Sequence, residues 1–308
     1  MKLLRIPLAA LLALLLLCAA LPMSALAVDT DELDFSDGLE PILLDYMSAH
    51  NLSEENFSLG FYDTGTGTTY YFCEDAWHVA GSMYKLPLNM VYTDLIAEGL
   101  RRPSAGVGGY TIEGAMYNSM VYSDNDAAHA LLDGLLPDYD SSWADMWHSL
   151  ARYTDLDPAT FPARQHVDNL MTPHFMIETL KYLYDNSVQY AGVLENMHKA
   201  NRGNYLRYTY EGPYEIAHKY GSYQGWLNDC AIVYTPKPFL LVVFTRYALP
   251  SGERVLSDLR DICIAYALYL QEHGTPVQNL NPREQALLDL RRAMGRVRKQ
   301  HETEQAAP

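Results

Sequence analysis

The chain predicts an α+β fold: an antiparallel β-sheet built from both chain ends plus an all-helical lobe, with a cleft between the two. Three observations lead there. Strand patterns occur early, at Phe57–Tyr62 and Thr68–Phe72, and return late, at Tyr214–Lys219, Asn228–Tyr234 and Phe239–Thr245. Between them the patterning is helical. A long apolar helical stretch, Ser251–Gln271, closes the body. Strands first and last around a helical insertion imply a sheet assembled from distant parts of one chain.

The elements follow in order. Lys2 and Arg5, the apolar run Ile6–Leu21 and the small-x-small site Ala25-Leu26-Ala27 predict a signal peptide over 1–27 and an exported, extracytoplasmic product. That run is short for a membrane span, so no stable span is expected after processing. One domain is expected over 28–274. Leu39–Asn51 reads as an amphipathic helix. Asp63-Thr64-Gly65-Thr66-Gly67 is turn chemistry joining the first two strands into a hairpin. A helix runs from about Ser82 to Glu98, stopped by Gly99. Helices are expected near Thr111–Met120, Asp126–Leu135 and Ser141–Tyr153. Thr172-Pro173 opens another through Tyr184, with Pro at a first-turn position that needs no backbone donor. Phe239–Thr245, F-L-L-V-V-F-T, is apolar throughout and suits a covered strand. Residues 275–308 are expected to be a charged tail, helical or disordered.

Composition excludes some functions. The formal charge is −16, and the acidity lies in the body rather than the tail. Such a surface suits neither nucleic acid, whose phosphates need Lys and Arg, nor anionic lipid. The cysteines surviving processing, Cys73, Cys230 and Cys263, match no zinc or redox spacing and read as small buried hydrophobes. The ten histidines are scattered, so no metal and no cofactor is expected.

Three short motifs carry the chemistry. Ala80-Gly81-Ser82-Met83-Tyr84-Lys85 holds S-x-x-K at a helix start. Residues three apart share a helix face, so Lys85 can reach the Ser82 hydroxyl. Serine is a weak nucleophile and needs an adjacent base. Lysine serves if desolvation or a nearby cation lowers its pKa. Ser123-Asp124-Asn125 sets a hydroxyl and an amide before an Ala/Leu run, a sequence that also makes a good helix cap. His218-Lys219-Tyr220-Gly221-Ser222 ends a strand with a cation beside a glycine. Each alone has an ordinary structural explanation.

In this order, S-x-x-K, S-D-N and K-x-G resemble the signature set of class A β-lactamases and penicillin-binding proteins. The resemblance covers roughly residues 39–271. It implies a β-lactamase/transpeptidase-like fold and a serine hydrolase that forms an acyl-enzyme. The substrate would be a β-lactam or a peptidoglycan-type D-peptide. On the matching positions, Ser82 would be the nucleophile, Lys85 would take its proton, and Ser123 would relay a proton to the leaving nitrogen. Asn125 would hold the substrate's side-chain amide. Lys219 would attract the substrate carboxylate and keep Lys85 less basic. The backbone N–H groups of Ser82 and Ser222 would form the oxyanion hole, with Gly221 leaving room for the ligand.

Two departures stand out. Tyr220 occupies a place where the family usually has Thr or Ser. The E-x-x-L-N segment that activates the deacylating water in class A enzymes has no counterpart, since no glutamate occurs between Asp126 and Ile177. Asp157, His166 and Asp168 are the candidate substitutes, and poor β-lactam turnover is expected. Two other readings share the residues. One is a D-Ala-D-Ala carboxypeptidase or endopeptidase-like enzyme. The other is a non-catalytic binder of cell-wall peptide using some of the twenty-four tyrosines. A glutaminase shares the scaffold but not the signal segment. Oligomeric state is not legible in the sequence.

Overall fold

A computed structural model of the chain describes residues 28–135, 149–201, 203–247 and 251–276. The expected signal segment, most of the tail, residues 141–148 of the expected helix Ser141–Tyr153 and the side chain of Asp168 lie outside the described residues. No described helix is long and apolar enough to cross a membrane.

The sheet has five antiparallel strands: β1 (Phe57–Asp63), β2 (Thr69–Phe72), β7 (Ile216–Tyr223), β8 (Trp226–Val233) and β9 (Phe239–Thr245). Their spatial order is β2-β1-β9-β8-β7, so the early hairpin is zipped to the late strands along β1–β9. The β1–β2 turn is set by Asp63, whose Oδ2 accepts from the backbone N and the hydroxyl of Thr66, both at 2.7 Å. The apolar run of β9 is explained by burial on two faces. Phe239, Leu241 and Val243 join α1 (Glu40–His50) and α8 (Ser251–His273) in one core. Leu240, Val242 and Phe244 face the helical lobe. Side chains alternate along a strand, so a strand covered on both sides must be apolar at every position.

The helical lobe centres on α2 (Lys85–Ala97), buried from Lys85 through Tyr92. A helix apolar almost all round belongs in the middle of a lobe. Around it lie α3 (Ile112–Val121), α4 (Asn125–Leu135), α6 (Pro173–Asp185) and α7 (Ala191–Lys199). Thr172 caps α6 by accepting from the backbone N of Phe175 at 3.0 Å.

The structure differs from expectation in several places. The Ser82 segment enters α2 through a separate 3-10 turn, Gly81–Tyr84. The described end of the Ser141–Tyr153 stretch, Leu150–Tyr153, is a 3-10 turn. α7 is not among the expected helices, although it is amphipathic and buries Val193 and Met197. The one-turn helix α5 (Gln165–Asp168) and the two-residue ladders β3 (His78–Val79) with β6 (Leu170–Met171) and β4 (Gly106–Val107) with β5 (Tyr110–Thr111) are too short to be read in advance. β7 runs past Lys219 to Tyr223, because Gln224-Gly225, both at positive φ, make a tight hairpin that keeps Gly221 and Ser222 paired to β8. Cys230 and Cys263 are buried as expected, whereas Cys73 is half-buried at φ 55°.

Candidate active site

Ser82 stands in the Gly81–Tyr84 turn where the helical lobe packs against β7. Two glycines permit the approach. A Cβ on Gly81 would lie 2.8 Å from Ser222 N, and one on Gly221 would lie 2.1 Å from Ala80 O and 2.7 Å from Ser82 N. Gly81 also has φ 58°, which glycine adopts at little cost. The turn is held from behind as well. Val79 pairs with Leu170, Ala80 N donates to Asn169 O at 2.8 Å, and Asn228 Nδ2 on β8 donates to Val79 O at 2.8 Å.

Ser123 is the meeting point of the other two motifs. It sits at φ 55°, a conformation uncommon outside glycine and costing about 1–3 kcal/mol. Its carbonyl accepts from Lys85 Nζ at 2.7 Å, and its hydroxyl accepts from Lys219 Nζ at 3.0 Å. Lys85 Nζ also donates to Asn125 Oδ1 at 2.7 Å and Asp124 O at 3.2 Å. The helix-cap reading of Ser123-Asp124-Asn125 holds too, but through Asp124, whose Oδ1 accepts from Ala127 N at 3.0 Å. The direct hydrogen bond from Lys85 to Ser82 that the spacing allows is not made: the oxygens of residues 123–125 take the ammonium's donors instead.

Both lysines are fully buried. Desolvation lowers Lys85 to about 8, against an opposing pull from Asp124. Lys219 is lowered to about 7, first by burial and then by the charge of Lys85. Beneath the site His78 is pushed down to about 4 by burial, so its ring is neutral.

A cavity of about 710 Å³ opens on Ser82. Asn125 and Ser222 line it, and so do His129, His166, Asn169 and Tyr223. Of the three candidate substitutes for the missing glutamate, the structure brings His166 to this cavity. Asp157 instead caps a 3-10 turn, accepting from Ala159 N at 2.9 Å. Sequence reasoning missed His129, Asn169 and Tyr205. Tyr205 stacks on Tyr220 with ring centroids 4.4 Å apart. No local pattern marks such a contact, which joins residues fifteen positions apart through the fold. Among the described residues, no group of three or more His, Cys, Asp or Glu is arranged to hold a metal ion.

The sequence profile of the β-lactamase enzyme family matches residues 42–267. No curated protein matches the chain. Solved structures do. An ancestral class A β-lactamase superposes with a TM-score of 0.61 at 16% identity, covering 73% of this chain and 98% of that one. A β-lactamase from Xanthomonas campestris gives 0.59 at 19% identity, covering 75% and 97%. One from Sphaerobacter thermophilus gives 0.58 at 19%, covering 77% and 98%. At such identities these likenesses speak for the fold, and the profile match over most of the body speaks for the family. The chain therefore belongs to the β-lactamase enzyme family and is a serine hydrolase with the class A β-lactamase fold.

Proposed function

We propose that the chain forms an acyl-enzyme on Ser82 and cleaves the amide of a β-lactam or a peptidoglycan-type D-peptide, outside the cytoplasm. The observation that carries this is the convergence of two buried, weakened ammoniums on Ser123 beside the cavity that holds Ser82. Lys85 is depressed far enough to act as a base near neutral pH. It takes the Ser82 proton once it swings from, or relays through, the Ser123 hydroxyl, which lies 3.5 Å from its Nζ. Lys219 holds that hydroxyl from the other side, ready to pass a proton to the leaving nitrogen. The backbone N–H groups of Ser82 and Ser222 are the oxyanion donors; both residues line the cavity. Asn125, at the cavity edge, holds the substrate's amide. The leader pattern around Lys2, Arg5 and Ala25-Leu26-Ala27 supports export.

Incubation with a fluorescent penicillin, followed by intact mass over time, tests the reading. A penicilloyl adduct on wild type and none on Ser82→Ala is expected. Equal labelling of the variant would remove Ser82 from the mechanism. No adduct from either a penicillin or a fluorophosphonate would favour the binding-protein alternative.

A further inference from the structure

A lysine ammonium has three N–H donors. In Lys219 two go to Ser123 Oγ at 3.0 Å and to the carbonyl of Tyr220 at 2.8 Å. The ring of Tyr220 covers the ammonium, its centroid 4.0 Å from Nζ, a distance at which an aromatic face attracts a cation. Thr or Ser at position 220 would leave that side open. Tyr220 is also braced from behind. Tyr205 lies against it, with centroids 4.4 Å apart and planes inclined by 26°. Tyr205 is itself fixed at φ 56°, with Glu253 Oε1 accepting from Asn204 Nδ2 at 2.8 Å and from Tyr205 N at 3.4 Å. The next residue, Leu206, donates its N–H to Asp229 Oδ2 at 3.0 Å. That buried carboxylate lies 2.7 Å from His218 Nδ1. Arg260 holds the carbonyls of Leu206 and Tyr208 at 2.8 and 2.9 Å. The ring over Lys219 is therefore part of a rigid wall and not a loose side chain.

We propose that the Tyr205–Tyr220 stack is a specificity element that closes the anion subsite at Lys219. The site then takes acyl donors with an uncharged group beside the scissile amide, such as an internal peptide bond, an amide or an ester, in preference to donors with a free carboxylate there. This rests on the acyl-transfer reading above and narrows its substrate class. The electrostatics agree. Lys219 is lowered to about 7, so its pull on an anion is already weakened at neutral pH, and the chain as a whole carries −16. Asp229, the register partner of Tyr220, adds a buried carboxyl on the same part of the sheet. Tyr220 acts at the ligand, and Tyr205 is a positioning residue acting through it.

The experiment compares matched pairs: benzylpenicillin with its methyl ester, and an N-acylated D-Ala-D-Ala peptide with its C-terminal amide. Acylation of Ser82 is followed by intact mass, and binding to Ser82→Ala by calorimetry. In wild type the neutral member of each pair should win by about tenfold or more. Tyr220→Thr and Tyr205→Ala should each move the ratio at least tenfold toward the acid. Tyr220→Phe and Tyr205→Phe, which keep the stack, should retain the wild-type ratio, and thermal unfolding reports whether each variant is folded. A wild-type preference for the acids, a ratio indifferent to losing either ring, or no binding of either member to Ser82→Ala overturns the proposal. Absence of acylation by both members, with the binding ratio as expected, would overturn the acyl-transfer reading while leaving the selectivity intact.

Discussion

Lys85 and Lys219 meet across Ser123, one donating to its carbonyl and the other to its hydroxyl. Two buried like charges with one serine between them cannot titrate independently, and the charge of Lys85 makes Lys219 the less basic of the two. Acylation of Ser82 should therefore rise with pH through a step near 8, where Lys85 loses its proton. Lys219, at about 7, has given up its proton before that step, so Lys219→Met should leave the step in place. Labelling rates from pH 6 to 10 in the two proteins check this; a step moved by Lys219→Met would mean that Lys219 is still charged when Lys85 titrates.

The same lysines shape stability. Their native pKa values lie below those of the unfolded chain, so between about pH 7 and 9 the unfolded state holds more protons. Stability consequently rises with pH across that window. Above pH 9 the rise is opposed, because burial raises the thiols of Cys230 and Cys263 and they stay protonated in the fold after the unfolded chain has ionised its own, and the trend reverses once the unfolded lysines lose their protons too. Denaturant melts at intervals of half a pH unit should show the rise, and a Lys85→Met, Lys219→Met double variant should flatten it.

Ser123 trades stability for placement. Its φ of 55° aims carbonyl and hydroxyl at two different ammoniums, and glycine would adopt that conformation without the strain. Ser123→Gly should unfold at the same denaturant concentration or higher, by up to about 1 kcal/mol, while acylation falls by about a hundredfold. Ser123→Ala should lose a similar factor in rate without gaining stability.

Gly221→Ala tests the contact between β7 and the Gly81–Tyr84 turn. The new methyl would sit 2.1 Å from the carbonyl of Ala80 and 2.7 Å from the amide of Ser82, and both are backbone atoms that cannot rotate away. Separating them should cost about 1–3 kcal/mol of stability. It should also displace the Ser82 amide from the cavity. Labelling by fluorescent penicillin should fall by at least tenfold at temperatures where the variant remains folded.

Deacylation should be the slow step. No glutamate lies between Asp126 and Ile177, and general-base help to water is worth about 10²–10⁴-fold. A stoichiometric penicilloyl adduct with slow nitrocefin turnover is expected. Residual decay should depend on His166, which lines the cavity with Ser82, and not on Asp157, which caps a turn. His166→Asn should lengthen the adduct lifetime and Asp157→Asn should not. Fast nitrocefin hydrolysis would show that an efficient base exists.

The sheet and most of the helices were legible because their signals are local. The unbroken apolar run of β9, the Asp63–Gly67 turn and the Thr172-Pro173 helix start each declare themselves within a few residues. The three motifs were legible for the same reason, and the fold brings them together. What the sequence could not show depends on distant parts meeting. Lys85 turns to the carbonyls at 123 and 124 rather than to Ser82. Tyr205 braces Tyr220 across a fifteen-residue gap. His166 is delivered to the cavity by the β3–β6 ladder, two residues long on each side.

The pairing of β1 with β9 sets a constraint on how this molecule is made. Phe57 lies opposite Thr245, so β1 finds its inner neighbour only after almost the whole body has been synthesised. Closing so long a loop early is entropically costly, and folds dominated by such contacts assemble slowly. Until β9 arrives, the nascent β1–β2 hairpin shows one unpaired apolar edge, able to recruit any extended segment nearby. The helical lobe has no such dependence within itself, since α2, α3 and α4 follow one another along the chain. Assembly should thus begin in the lobe and finish when the last strand slots between the first and β8, and truncation before residue 245 should leave an aggregating product.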